Sequence, residues 1–523
     1  MASKRLWAMM VVIIMVVLAC AAPTATPTTA PTDGATAAPP TEEPTGEPTE
    51  EPTGEPTEEP SEEPSEEPSE EPSAAPTGPA VPTAPTGYAE LDAALNGDYT
   101  GRTVSFQTQW IGGEGANFAA AFADFATATG MTIQVDSIGS SHETVLRTRI
   151  EGGQPPDLAM LAQPTAVLAY GEQGRLVDVS TFMDAAKMQT EQAATVGLVT
   201  DEAGAIWGIP YKADVKSTVW YPIPYFEANG FQVPTTWDEM IALSDAIVAA
   251  GTAPWCMGME AGTATGWQFT DWVEEVMLRT QSPETYNQWI NHELPFDSPE
   301  VRAAFEAVGE IMFTDGYVLG GSTAIVSTPQ TTPFDPAFPP DDNWEGFTPG
   351  CVMHKIPTWY GPDFFPDVRA NLPNDPNYQT IYEIGTDIGI FYLPPIDPQY
   401  GSPALGSADM LIVPIPAGGG EVRDEVKAFA QFLATPEGLQ RWIEAGSAIS
   451  ANNTTPQEWY AGFYKLDVAA QIVNNASYVG FDASDLMPPE VGAGTFWTEG
   501  VNYINANGDN LDAVVQAIDA SWP

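Results

Sequence analysis

The chain has 523 residues, which is enough for two or more domains with hydrophobic cores of their own. Its 71 acidic residues outnumber 17 basic ones and give a formal net charge of −54 at pH 7, and 56 of the acidic residues lie in 88–523. Nucleic acids and anionic ligands are therefore poor candidates for partners, because a protein needs Lys and Arg to neutralise their charge.

The N-terminus has the pattern of a secretory lipoprotein signal over residues 1–20. Lys4 and Arg5 precede an apolar run of 14 residues, 6–19, which is shorter than the roughly 20 residues of a membrane-spanning helix. The sequence VLAC at 17–20 matches the bacterial lipobox and predicts that Cys20 is lipidated. The alternative is ordinary cleavage nearby, with Cys20 incidental. We expect no other segment to span a bilayer.

Residues 21–87 are mostly Pro, Thr, Ser, Ala and Glu, with four tandem EEPS copies at 58–73. Such a segment has almost no apolar surface to bury and should not fold. At about 3.1 Å per residue, an extended chain of this length reaches on the order of 200 Å. We interpret it as a disordered tether between the membrane and a soluble domain.

The first folded stretch alternates strands and helices. The apolar pattern predicts strands at 103–110, 131–135 and 157–161, a helix over 117–129 that stops at Gly130, and a helix that begins with a capping box, Ser140 and Glu143. Strand–helix–strand repetition is typical of a parallel α/β sheet.

A hinge is predicted next, where two short strands, 206–211 and 218–221, are joined by the polar step 212–216. A second, larger set of elements follows it. Helices are predicted to start at the Thr236/Glu239 capping box, at 266, at Ser298-Pro299, at 422 and at an N-cap Thr435. Strands are predicted at 253–259, 388–393 and 410–413. A further crossing between the two sets is expected near 447–452.

Five segments, taken in order, carry a family resemblance: WIGGEGANFAAAFADFATATG, RIEGGQPPDLAML, IPYKADVKSTVWY, VPTTWDEM and VKAFAQFLATPEGLQRWIEAGSA. They resemble the extracellular solute-binding proteins of carbohydrate ABC importers (family 1), in particular the α-glucoside-binding, maltose-binding-protein-like branch, over about residues 100–521. The resemblance implies an α/β fold of the type II periplasmic-binding-protein kind, with two discontinuous lobes, a multi-strand hinge and a ligand cleft. We expect lobe 1 at 88–212 and 394–447, and lobe 2 at 217–391 and 450–523.

The resemblance and the loop positions together nominate ligand-binding residues. Sugars need flat aromatic faces for their C–H surfaces and carboxylates, amides or lysines for their hydroxyls. The candidates are Trp110, Glu114, Gln163, Asp214, Lys216, Trp267, His354, Trp359, Tyr360, Asp409 and Trp497. Two alternatives stay open: Trp110 only caps the sheet edge, or Asp214 and Lys216 pair with each other.

Two cysteines remain if Cys20 carries lipid. Cys256 and Cys351 form an even pair in a secreted chain, and relatives carry similar cysteines, so we predict a disulfide; two free buried thiols are the alternative. The three histidines show no metal-ligand spacing, and no GxSxG, Walker or GxGxxG motif is present. We therefore expect no enzyme activity, metal or cofactor.

The sequence thus predicts a lipid-anchored substrate-binding protein that captures a carbohydrate, an α-glucoside or oligosaccharide, by hinge closure. The expected partners are the sugar and the permease subunits of an ABC importer, with the membrane contacted through lipid only and the protein a monomer. The expected location is the outer face of the bacterial cytoplasmic membrane, at the cell surface or in the periplasm. The alternatives are the same fold with a non-sugar solute, or a tethered carbohydrate-active enzyme.

Overall fold

Two β-sheets organise the residues that the computed structural model describes, which are 78–340, 343–366 and 382–523. The predicted signal segment, with Cys20, and residues 21–77 of the predicted tether lie outside this range. Within it, no helix combines the length and the apolar character that crossing a bilayer requires. All of the described residues belong to one compact unit.

The first sheet has seven strands and the second has four. The strands are β1 (Thr103–Thr108), β2 (Thr132–Ser137), β3 (Leu158–Leu161), β4 (Ile209–Val215), β5 (Thr218–Pro222), β6 (Ala253–Trp255), β7 (Cys351–Lys355), β8 (Ile388–Tyr392), β9 (Ala404–Ile412), β10 (Ile449–Ser450) and β11 (Val479–Phe481). The larger sheet runs β10-β4-β9-β3-β1-β2 with β11 against β9, and the smaller runs β6-β7-β5-β8. Pairs β1/β2 and β1/β3 are parallel, as the strand–helix repetition predicts.

Seventeen α-helices lie among the described residues. They are α1 (Ala89–Leu95), α2 (Gly112–Thr129), α3 (His142–Glu151), α4 (Pro164–Glu172), α5 (Ala185–Glu191), α6 (Ile223–Asn229), α7 (Trp237–Ala249), α8 (Trp267–Thr280), α9 (Pro283–Ile290), α10 (Pro299–Phe313), α11 (Ser322–Ile325), α12 (Asp424–Leu433), α13 (Glu437–Glu444), α14 (Tyr464–Asn475), α15 (Ala483–Leu486), α16 (Trp497–Asn505) and α17 (Leu511–Ala520). Helix α2 ends at Gly130, whose φ of 67° is the left-handed conformation that favours glycine.

Two separate hydrophobic cores give the molecule two lobes. In the first, aromatic rings of α2 and β1 pack on α12, with Phe106 and Phe118 ring centroids 4.8 Å apart and Phe125 stacked on Phe432. The second is built around α8 and α10, where Phe269 and Phe305 centroids are 5.3 Å apart. The bounds predicted for the two lobes stay a prediction.

The chain crosses between the lobes where β4 runs into β5. The crossing is braced by its neighbours, because Lys216 N donates to the Leu405 carbonyl and Leu393 N donates to the Ser217 carbonyl. The short strand β10 also pairs with β4, at the position where a further crossing is predicted. Several extended segments therefore lie side by side at the hinge.

Several local predictions hold. Cys256 and Cys351 form the predicted disulfide, which ties the end of β6 to the start of β7. The helix that begins at Pro299 has Ser298 as its N-cap, and Ser298 Oγ accepts from Val301 N. Thr236 caps α7 in the same way.

Four local predictions are wrong. Residues 212–215 continue β4 instead of forming a polar step, because their amides pair with β9. Ser140 does not cap α3, since it lies in a 3₁₀ turn before that helix. Thr435 precedes the N-cap Pro436, and its hydroxyl bonds back to the Phe432 carbonyl. The tether prediction extends too far, because at 78–87 Ala80 is fully buried and its N–H donates to Asp124.

Candidate functional site

A cavity of about 330 Å³ lies between the two lobes. The loops after β1 and β3, together with residues inside β4 and β9, supply one wall, and α8, the loop near residue 330 and the segment 482–497 supply the other. The lobes touch at its rim: Thr263 Oγ1 donates to the Ser140 carbonyl at 3.0 Å, and Thr165 Oγ1 donates to the carbonyls of Asp485 (2.9 Å) and Met487 (2.7 Å). The two lobes therefore meet at this rim of the cavity.

Nine of the eleven nominated residues line this one cavity. They are Trp110, Glu114, Gln163, Asp214, Lys216, Trp267, Trp359, Asp409 and Trp497. They come from positions nearly 400 residues apart in the chain, and the hinge brings them together.

His354 and Tyr360 do not line the cavity. His354 lies in β7 beneath the disulfide, where its Nδ1–H donates to the Cys256 carbonyl at 2.8 Å and burial lowers its pKa to about 4. Its ring stacks on Phe334. Tyr360 is fully buried and meets Trp220 edge-on, with centroids 5.4 Å apart. Both side chains therefore belong to a packed aromatic cluster behind the cavity wall.

Aromatic rings form part of the wall of the cavity. Trp267 and Trp359 are half-buried neighbours with centroids 6.3 Å apart, and Trp497 lies next to the start of α8. That approach requires a glycine at 266, because a Cβ there would lie 2.3 Å from the Trp497 carbonyl oxygen. Trp110 is 2% exposed and packs edge-on against Trp442, so it serves the first core as well as the cavity.

An acidic cluster surrounds Lys212 on the first-lobe wall. The Lys212 ammonium lies 2.7 Å from Asp214, 3.6 Å from Asp409 and 3.8 Å from Glu114. Burial raises the pKa of Glu114 to about 8 and that of Asp409 to about 6, with Lys212 opposing both shifts. Burial alone lowers the pKa of Lys212, but the three carboxylates outweigh it and the net shift is upward. Three acids and one base thus face the ligand space.

A second acidic cluster surrounds Lys216 at the base of the cleft. Its ammonium lies 2.8 Å from Asp271 and makes a shorter contact with Asp482, so Lys216 does not pair with Asp214. The network continues away from the cavity through Lys355, which lies 3.5 Å from Glu275 and 3.6 Å from Asp271. Asp271, Glu274 and Asp482 place carboxylate oxygens within 4.8 Å of one another. Lys216 already supplies a positive charge to two of them.

The sequence interpretation missed several lining residues. Gln109 donates to Asp409 at 2.9 Å, Gln330 accepts from the Trp267 indole, and Asp482 and Asp485 bring carboxylates from the second lobe. Asp482 carries a weak sequence signal, since it caps α15 through the amide of a residue three positions later. Nothing distinguishes the others among 71 acidic residues and many amides.

Comparisons with known proteins agree with this geometry. The family of bacterial extracellular solute-binding proteins matches residues 110–334. The chain is 34% identical over 433 residues to the osmoprotective compounds-binding protein GgtB of Synechocystis sp., covering 82% of this chain and 94% of that protein. It is 32% identical over 447 residues to the alpha-glucosides-binding periplasmic protein AglE of Rhizobium meliloti, covering 83% and 90%.

The chain belongs to the extracellular solute-binding protein family. A solved structure of the bacterial solute receptor AcbH, which prefers β-D-galactopyranose, superposes with a TM-score of 0.65 at 17% identity, over 80% of this chain and 97% of that chain. The fold is accordingly that of a type II periplasmic binding protein. Proteins of this family work outside the cytoplasm as the sugar- or solute-binding components of ABC importers, and the relatives found are binding proteins rather than enzymes.

Proposed function

We propose that the protein captures a neutral carbohydrate, an α-glucoside or short oligosaccharide, and delivers it to an ABC importer without chemical change. The observation that carries this proposal is the combination within one cleft of tryptophan side chains and buried carboxylates. Rings such as Trp267 and Trp359 suit the apolar faces of a sugar, and carboxylates such as Asp409 suit its hydroxyls. Both lysines of the wall are already matched by carboxylates, which disfavours an anionic ligand.

The size of the cavity supports a small ligand. A volume of about 330 Å³ lies at the lower end of the roughly 300–1,000 Å³ typical of small-molecule sites. A ligand of one or two sugar rings fits that range better than a long chain does. The name of AglE refers to α-glucosides and that of GgtB to osmoprotective compounds, so small glucosides are the first class to test.

Binding works through closure of the hinge. A ligand that contacts both walls binds the closed form more tightly than the open one and shifts the population toward it. The contacts of Thr263 with Ser140 and of Thr165 with Asp485 form only when the lobes meet, so they add to the free energy of closure. The closed protein is then the form that the permease recognises.

The attachment of the protein is part of the same proposal. Lipid on Cys20, followed by a proline- and glutamate-rich tether, holds the receptor at the outer face of the membrane as a monomer. Labelling with a radioactive fatty acid, with Cys20→Ser as control, tests this step. Label that persists in the variant contradicts the proposed anchor.

A melting screen tests the ligand class. Trehalose, sucrose, maltose, raffinose, galactose, glycine betaine and a tripeptide are each added to the purified protein. A ligand at 100 times its Kd stabilises the folded state by about 2.7 kcal/mol, which raises Tm by a few degrees. We expect such a rise with at least one glucoside, together with compaction in small-angle scattering.

Three outcomes contradict the proposal. A rise in Tm with only glycine betaine or only the tripeptide would show that the ligand is not a sugar. New reducing ends after incubation with the oligosaccharides assign an enzyme. A complete lack of response across the sugars, in protein whose melting is cooperative, removes carbohydrate as the ligand class.

A further inference from the structure

Two polar side chains of the cavity wall lack a protein partner. Asp485 is 5% exposed and Gln163 is 8% exposed, and both line the cavity. Within the described part of the chain, neither the Asp485 carboxylate nor the Gln163 side-chain amide makes a hydrogen bond or an ion pair. Their polar atoms open onto the cavity instead of being sealed within the protein, so these two groups are available to a partner that enters it.

Asp485 differs in this respect from the other second-lobe carboxylates nearby. Asp482 bonds to Lys216 and to Ser484, and Asp271 bonds to Lys216. Asp485 bonds to none of them through its side chain, and its backbone N–H donates to Asp482 Oδ1 at 2.9 Å. Burial and the charge of Asp482 raise the pKa of Asp485 well above its ordinary value, as expected for a carboxyl group that lacks donors.

The two unpartnered groups also lie at one of the contacts between the lobes. Gln163 is the residue at the N-terminal end of α4 in the first lobe, and Thr165 follows two positions later. Thr165 Oγ1 donates to the main-chain carbonyl of Asp485 in the second lobe. A single short stretch from each lobe therefore provides both an unpartnered side chain and a closing hydrogen bond.

We propose that Asp485 and Gln163 bind adjacent hydroxyls of one pyranose ring, and that this contact completes closure through Thr165. This inference rests on the proposed carbohydrate function. The two carboxylate oxygens of Asp485 accept from the vicinal hydroxyls, and the Gln163 amide donates to a hydroxyl oxygen from the opposite lobe. The ligand contacts the Asp485 side chain while Thr165 bonds to the Asp485 main-chain carbonyl. Occupancy of the site therefore stabilises the closed form.

Calorimetric titration of Asp485→Asn with trehalose, maltose and sucrose tests the ligand contact. The strongest binder among the three for the unaltered protein is expected to lose about 10- to 100-fold in affinity, the range for a hydrogen bond to a charged group. Glu490→Gln removes an equal charge from an exposed site five residues away and should change affinity less than twofold. The Tm of ligand-free Asp485→Asn should be equal to or higher than that of the unaltered protein, which a merely structural role would not produce.

Thr165→Val tests the coupling to closure. Valine keeps the shape of threonine and removes the hydroxyl donor, so we expect faster dissociation of the sugar and less compaction on binding. Thr165→Ser keeps the donor and should keep the dissociation rate and the compaction of the unaltered protein. Unchanged affinity in Asp485→Asn, in a protein that binds one of the sugars, overturns this inference and leaves the proposed function standing. Unchanged dissociation in Thr165→Val overturns the coupling. If the unaltered protein binds none of the sugars of the melting screen, the proposed function and this inference both fail.

Discussion

Lys212 and Lys216 lie four residues apart on the segment that leaves the first lobe, and both are at least 90% buried among carboxylates. Their surroundings differ in where the carboxylates face. All three partners of Lys212 line the cavity, whereas Asp271, a main partner of Lys216, lies behind the wall. The network around Lys216 then continues to Lys355, Glu275 and Arg279, away from the ligand space.

The comparison indicates that one kind of cluster serves two purposes. A cation whose partners face a cavity orients groups that a ligand contacts. A cation with a partner enclosed behind the wall joins structural elements, in this case the hinge, α8 and the segment at Asp482, although Asp482 itself lines the cavity. Removing each cation should therefore affect different properties, ligand affinity for Lys212 and folding stability for Lys216.

The largest effect is expected from Lys216→Met. It leaves Asp482 buried without its cation and Asp271 with only Lys355, 3.6 Å away, and breaking a buried pair from one side typically costs about 3–5 kcal/mol. Urea unfolding of the ligand-free protein measures this loss. Lys427→Met, which removes a surface lysine paired with Asp424, should cost less than about 1 kcal/mol. A Lys216 variant as stable as that control contradicts the structural role.

Lys212→Met should lower stability less, by about 1–2 kcal/mol, because the carboxylates that it leaves behind face the cavity and can take up water or protons. Its affinity for the sugar identified by the melting screen should fall at least tenfold, since Glu114, Asp214 and Asp409 lose the charge that holds them in place. Calorimetric titration and urea unfolding of the same sample separate the two effects. If both lysine variants lost the same stability and Lys212→Met kept its affinity for the sugar, the proposed difference between the two clusters would be wrong.

The order of strands and helices is largely predictable because it follows from local periodicity and caps. Ser298 and Gly130 mark helix ends correctly, and the disulfide follows from an even cysteine count together with the family resemblance. Local patterns fail where tertiary pairing decides the conformation. The charged residues Lys212 and Asp214 favour a polar connection, yet β9 supplies the hydrogen-bonding partners that extend β4 through 212–215.

The site is only partly predictable, for a related reason. Family likeness and a predicted helix start find Trp267, the first residue of α8, because that signal depends on where a helix begins. Family likeness also finds Asp409, although it lies within β9 and not in a loop. Whether a side chain faces the ligand or the core depends on the packing around it: Trp359 lines the cavity, while its neighbour Tyr360 turns into the aromatic cluster. Asp485 is identified only by its lack of a partner, which no sequence pattern records.

A smaller effect, set by pH, is expected from Glu114→Gln. The pKa of Glu114 is raised from 4.5 to about 8 in the folded protein, so the folded state holds a proton that the unfolded state releases. Stability therefore falls as pH rises from about 4.5 to about 8, and glutamine removes this fall. The variant should gain about 1–2 kcal/mol relative to the unaltered protein between pH 5 and pH 8.5 in urea unfolding. A difference that stays constant across this range contradicts the assignment, and Glu490→Gln is the matched control.

The smallest effect is expected outside both clusters, at Tyr360. Among the described residues no group bonds to its buried hydroxyl, so Tyr360→Phe removes an unsatisfied donor and should leave stability unchanged or raise it by up to about 1 kcal/mol. Tyr211→Phe is the matched control with the opposite sign, because the Tyr211 hydroxyl donates to the Gly438 carbonyl at 2.9 Å and its loss should cost about 1 kcal/mol or more. Sugar affinity of the Tyr360 variant should stay within twofold. A loss of sugar affinity above fivefold would show that Tyr360 contacts the ligand and that the binding site extends beyond the cavity described above.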